Sequence, residues 1–94
     1  GFQVQTPAGD WLDEAPVKGT LIVNVGDMLH RMSNRRLIST PHRVINATGR
    51  ERNSVPFFFD PHVAIEIAPL LGTGAPKLEP LFFGDFLRNE LSGL

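Results

Sequence analysis

Residues 39–61 read STPHRVINATGRERNSVPFFFDP. With Ile38 in front, the stretch holds two runs rich in β-branched and aromatic residues, 38–46 and 52–59. Between them lies 47–51, where Gly49 is free to take positive φ. The pattern predicts two strands joined by a turn. Alternate residues of a strand share a face. His42 is therefore grouped with Thr40 and Val44, and Arg52 with Ser54, Pro56 and Phe58, followed by Asp60. A neutral imidazole suits a divalent transition metal, and open iron sites are commonly built from two histidines and one carboxylate. A guanidinium is a planar, permanently charged fork that matches a carboxylate, and a serine hydroxyl adds one donor. An inward-facing Arg52 without an anion would be costly. The expected site thus holds a metal and, beside it, a carboxylate. Periodicity leaves open whether the two strands pair as a hairpin or face each other across two sheets.

Residues 2–5 alternate with period two, and TPAGD at 6–10 carries the Pro, Gly and Asp of a turn before Trp11 and Leu12. A first hairpin is expected there. Residues 16–20 read as a loop, and 21–25 as a short strand buried on both faces. Asp27, after Gly26, is expected to cap a helical turn through Arg31 that Ser33 and Asn34 end. A Pro- and Gly-containing connector spans 69–80. Beyond it Phe82, Phe83, Phe86, Leu87 and Leu91 recur near helical spacing, which predicts a short amphipathic helix with Asp85 close to its start. Trp11 and Phe57 to Phe59 are expected in the core. His30 and His62 read as a surface and a loop residue, and Arg31, Arg35 and Arg36 as solvated charge.

Composition bounds the function. Ninety-four residues make at most one small domain, and 41% hydrophobic with 20% charged residues is ordinary globular composition. Nine Lys and Arg against ten Asp and Glu leave no electrostatic footprint for nucleic acid or an anionic membrane. No cysteine is present, which excludes disulfides and thiolate metal sites and is compatible with a cytoplasmic location. The chain lacks the apolar run of about 18 residues that would span a bilayer. It starts with Gly-Phe-Gln-Val, already alternating and without an initiator Met, which suggests a cut inside a larger domain.

Three segments, GTLIVNVGDMLHRMSN (19–34), STPHRVIN (39–46) and RERNSVPFFFDP (50–61), resemble the C-terminal half of the iron(II)/2-oxoglutarate-dependent dioxygenases of the isopenicillin N synthase-like family. The resemblance runs from Gly1 to about Pro61, and GDFLRNEL (84–91) is similar to that family's closing helix. Arg-x-Ser alone is a weak signal. Placed ten residues after His42, before Pro-Phe-Phe and after Asn-Val-Gly-Asp, it is a strong one. The implied fold is mainly β: the C-terminal part of a double-stranded β-helix, or jelly roll, with strands in about 1–61 and a connector and short C-terminal helix in about 62–94. There the His42 and Arg52 strands would lie in opposite sheets.

The resemblance also implies roles. His42 matches the distal iron-ligand histidine, and Arg52 with Ser54 the pair that binds the far carboxylate of 2-oxoglutarate. Asn24 matches a position near that co-substrate. Val44, Pro56, Phe58 and Asp60 are candidates for lining the pocket of the primary substrate. The implied reaction oxidises a small organic molecule with dioxygen and releases succinate and carbon dioxide. The family's other two iron ligands, a His-x-Asp motif, lie upstream of the strand that residues 2–5 resemble. No His-x-Asp or His-x-Glu occurs in this chain, because His30, His42 and His62 precede Arg-Met, Arg-Val and Val-Ala. The chain alone is therefore expected to be inactive and to require the N-terminal half of its domain. Two alternatives stay open: a non-catalytic β-domain or interaction module derived from an oxygenase, and an oxidase relative that does not use 2-oxoglutarate.

Overall fold

β1 (Phe2–Gln5) is the central strand of a three-stranded antiparallel sheet, with β2 (Trp11–Asp13) on one edge and β3 (His42–Val44) on the other. The structure is a computed structural model and describes residues 1–93. The first hairpin forms as the sequence predicts. Its loop closes through Thr6 N–H to Asp10 O at 2.8 Å and Gly9 N–H to Thr6 O at 2.9 Å, with Gly9 at φ 94°. One face of the sheet carries a polar ladder. Gln3 Nε2 donates to Asp13 Oδ1 and Arg43 Nε to Gln3 Oε1, both at 2.8 Å. The Arg43 guanidinium sits 4.0 Å from the centre of the Trp11 ring. Trp11 is thus half-buried beneath a cation rather than in a core.

The strand expected over 38–46 shrinks to His42–Val44, and proline chemistry supplies the reason. Gln5 N–H donates to Pro41 O at 2.9 Å, but proline has no N–H to return. At the other end Asn46 turns the chain: its Nδ2 donates to Arg50 O at 2.7 Å, and its Oδ1 accepts from Thr48 Oγ1 at 2.7 Å. Gly49 takes the positive φ that the turn needs, 71°.

Two expected strands do not form. Residues 21–25 and 52–59 run without regular structure, with Leu21 and Val23 each 90% exposed and Phe57 and Phe59 at 86% and 94%. Strand-forming residues make a strand only where a neighbour receives their N–H and C=O groups. No described strand pairs with either run. Phe57 to Phe59 are accordingly not core residues here. Asp27 also departs from expectation: Gly26 is the N-cap of α1 (Asp27–Met32), no side chain caps it, and Asp27 is its first helical residue. There a carboxylate still opposes the positive end of the helix dipole.

Helix α1 ends as the sequence predicts, in a Schellman motif. Arg35 N–H donates to His30 O at 2.9 Å and Asn34 N–H to Arg31 O at 3.0 Å. Asn34 supplies the left-handed residue, φ 54°, that this motif requires. Asn34 is also the most buried polar residue, 2% exposed, and both its amide N–H groups and its carbonyl oxygen have partners. Its Nδ2 donates to Thr73 O at 3.0 Å and Ala75 O at 2.7 Å. Its Oδ1 accepts from Lys77 N–H at 2.9 Å. One side chain thereby fastens the 69–80 connector to the end of α1.

The connector leads into a second unit, where β4 (Glu66–Ile67) pairs antiparallel with β5 (Leu81–Phe82) and α2 (Phe83–Ser92) follows directly. This is the closing helix expected from the apolar spacing. Ile67 and Phe83 are its buried apolar residues, 3% and 4% exposed. The first N–H groups of α2 find backbone rather than side-chain acceptors: Phe83 N–H donates to Ile65 O and Gly84 N–H to Val63 O, both at 2.9 Å. Gly84 permits that approach, since a Cβ there would stand 3.1 Å from Val63 O. Asn34→Ala should lower unfolding stability by about 2–4 kcal/mol, from three lost hydrogen bonds and a strained left-handed alanine. Asn34→Gly, which keeps the backbone conformation, should lose less, and urea denaturation compares the two.

Candidate functional site

The register of β1 with β3 sets the surroundings of His42. Phe2 opposes Val44, Gln3 opposes Arg43, and Val4 opposes His42. Gln3 and Arg43 turn to the polar ladder, so Phe2, Val4, His42 and Val44 share the other face, with Leu12 of β2 alongside. The grouping of His42 with Val44 read from alternation holds. Backbone bonds join Gly1 to Ile45 and Gln5 to Pro41, so the alternate pairs Phe2–Val44 and Val4–His42 are the non-hydrogen-bonded ones. Side chains come closest there. The Phe2 ring centre lies 5.7 Å from that of the His42 imidazole, with the planes 34° apart. His42 Nδ1 lies 3.2 Å from Thr40 O. A carbonyl only accepts, so in the neutral imidazole this contact favours the tautomer with the proton on Nδ1, which leaves the Nε2 lone pair for a metal.

Arg52 stands at the other end of the same strand pair. Ile45 N–H donates to Gly1 O at 2.8 Å. A Cβ on Gly1 would lie 2.7 Å from Ile45 O and 3.1 Å from Arg52 Nε. The guanidinium therefore rests against the backbone next to Phe2, the residue that touches His42. An open hollow of about 560 Å³ is lined there by Gly1, Pro16, Thr48, Arg50, Glu51 and Arg52. Two guanidinium groups against one carboxylate give it an excess of positive charge, and Arg52 makes no ion pair among the described residues. That chemistry suits an anion.

The other candidates are not gathered. Asn24, Ser54, Pro56, Phe58 and Asp60 are exposed, and without a strand over 52–59 no common face groups Arg52 with Ser54, Pro56 and Phe58. His30 Nδ1 lies 2.7 Å from Leu37 O, the same kind of contact that His42 makes with Thr40 O, whereas His62 Nδ1 accepts from Ala64 N–H at 3.1 Å. Arg35 and Arg36 are exposed as expected, whereas Arg31 is half-buried and donates to Glu79 O at 3.3 Å. Sequence reasoning missed Gly1, Phe2 and Val4. Alternation over 2–5 puts Phe2 and Val4 on one face, but no local signal says that this face meets His42.

A family model, the 2OG-Fe(II) oxygenase superfamily, matches residues 1–61, the span that contains His42, Arg52 and Ser54. The chain belongs to this superfamily. It is 45% identical over 94 residues to the 2-oxoglutarate-Fe(II) type oxidoreductase hxnY of Emericella nidulans, covering 95% of this chain and 27% of that protein. It is 41% identical over 95 residues to a homoarginine-6-hydroxylase of Glycine max, covering 96% and 29%. Among solved structures, a full-length Neurospora crassa protein in complex with alpha-KG and thymine superposes with a TM-score of 0.83 at 32% identity, over 99% of this chain and 31% of that one. The chain thus spans less than a third of the length of these relatives. The jelly-roll reading with a closing helix agrees with these neighbours.

Superfamily members use iron(II) and 2-oxoglutarate. No three His, Cys, Asp or Glu side chains among the described residues stand together as a metal site. One imidazole with a free Nε2 fits as a single ligand of such an ion, and the positive hollow at Arg52 fits a carboxylate. In the full-length protein Gly1→Ala should cost about 1–3 kcal/mol by overpacking, since the atom it crowds is backbone. Hydrogen exchange at the Ile45 amide, which bonds to Gly1 O, should accelerate; unchanged exchange would refute the close approach.

Proposed function

We propose that the full-length protein is an iron(II)- and 2-oxoglutarate-dependent oxygenase acting on a small organic substrate, and that residues 1–94 are one part of its catalytic domain. The family match over residues 1–61, which contains both a free-Nε2 histidine and the Arg-x-Ser triplet, carries this reading. Iron with 2-oxoglutarate, when bound, supplies the oxidation of substrate by dioxygen with release of succinate and carbon dioxide. His42 contributes one ligand through Nε2. Arg52 and Ser54 hold the far carboxylate of 2-oxoglutarate by charge-assisted hydrogen bonds, which orients the co-substrate before reaction. Asn24 lies near it, and Val44, Pro56, Phe58 and Asp60 line the substrate pocket.

The remaining ligands belong to a His-x-Asp motif in the preceding half of the domain, so the 94-residue chain by itself holds no active iron. A cytoplasmic location belongs to the same reading. One relative was solved with thymine and another is named a homoarginine hydroxylase, which makes small polar organic molecules the class to screen as substrates.

In the full-length protein Arg52→Ala should weaken 2-oxoglutarate binding roughly 10- to 100-fold, the loss of about 1.5–3 kcal/mol from a hydrogen bond to a charged group. Cobalt(II) affinity, read by its absorption bands, should change little. Equal loss of both would overturn the assignment of Arg52. The isolated chain should form no succinate from 2-oxoglutarate, and turnover by it would overturn the view that the preceding half is required.

A further inference from the structure

We propose that Phe2 is a positioning residue for the His42 imidazole, acting together with the Thr40 carbonyl so that one tautomer in one ring orientation presents Nε2. The inference rests on the reading of His42 as a metal ligand and deepens it. Three observations converge. The Thr40 carbonyl lies 3.2 Å from Nδ1 and can only accept, which selects the tautomer with a proton on Nδ1. That bond leaves the ring a rocking motion about the Nδ1 contact, because a single acceptor fixes one atom and not a plane. The Phe2 ring at 5.7 Å, tilted by 34°, bounds that motion from the diagonal position on β1.

The third observation is the setting of His42 in β3. It is the first residue of the strand, directly after Pro41, and β1 holds the backbone on both sides of it, through Gln5 N–H to Pro41 O and the Gln3–Arg43 pairing. A backbone fixed in this way leaves the rotation of the side chain as the remaining freedom, and neighbouring groups have to limit it. Outer partners that fix ring orientation and tautomer characteristically contribute 10- to 100-fold to metal affinity. Phe2 does this through contact and excluded motion, without touching the metal.

The test uses the full-length, metal-free protein with ¹⁵N-labelled histidine, at a pH of about 9, where imidazole is neutral. The His42 resonances are identified by their loss in His42→Ala. In the wild type His42 should show an unprotonated Nε2 and a protonated Nδ1 in a single population. Phe2→Val keeps a strand-forming residue but removes the ring. It should move His42 toward a mixture of tautomers and weaken cobalt(II) binding about tenfold.

Leu12→Ala truncates an apolar side chain on the same face, on the far side of β1. It should leave the His42 tautomer unchanged, which separates positioning from a general loosening of the sheet. Phe2→Leu, which restores bulk beside the imidazole, should recover most of the cobalt affinity. An unchanged His42 tautomer in Phe2→Val, with the Gln3–Arg43 strand pairing intact, would overturn the proposal. So would an equal shift in Leu12→Ala. If His42→Ala itself left cobalt binding unaltered, it is the ligand assignment that would fall, and the two failures are thus distinguishable.

Discussion

Backbone hydrogen bonding along both edges of β1 is the constraint on which the candidate site depends. β1 is four residues long and is the one strand with neighbours on both sides among the described residues. Its antiparallel register with β3 places His42 opposite Val4 and brings the Phe2 ring diagonally against the imidazole. The same ladder ends at the Gly1–Ile45 bond, against which Arg52 rests. The metal-binding candidate and the anion-binding candidate are thus set at two ends of one strand pair. A slip of one residue would turn His42 to the polar face of Gln3 and Arg43 and separate it from Phe2.

The C-terminal unit depends on a different kind of interaction. Its buried apolar content is small, essentially Ile67 and Phe83, and its attachment to the rest of the chain is polar. Asn34 takes the left-handed position at the end of α1 and spends its side chain on three backbone groups of the connector. A Leu70 N–H to Met32 O bond of 2.8 Å adds a fourth tie. An amide with partners on both its nitrogen and its oxygen is favourable where one with an orphaned atom would be costly, so this clamp tolerates little change. Through it the closing helix is held to α1.

Apolar residues without cover mark the remaining surface. Leu21, Val23, Val55, Phe57 and Phe59 are almost fully exposed. The Cα radius of gyration, 15.9 Å, exceeds the roughly 12–13 Å of a compact domain this long. Contiguous exposed apolar surface is characteristic of faces that pack against other protein. The chain spans under a third of its relatives' length, and its two apolar runs have the composition of strands without the neighbours that make strands. Composition records what a segment is suited to, and pairing decides what it becomes.

The family is legible in the residues alone, through the spacing of His42 and Arg-x-Ser within their flanking motifs. So are the elements whose signals are local: the first hairpin with its Thr-Pro-Ala-Gly-Asp turn, the Ser-Asn end of α1, the positive φ at Gly49, and the amphipathic closing helix. Each of these follows from dihedral preference, capping or periodicity within a few residues, which is information a single stretch carries. Long-range pairing sets which strand lies on the second edge of β1, and therefore that Phe2 touches His42 and that Gly1 meets Arg52. It also decides that residues 21–25 and 52–59 stay irregular, because strand formation is a property of two segments and their register, not of one segment's composition.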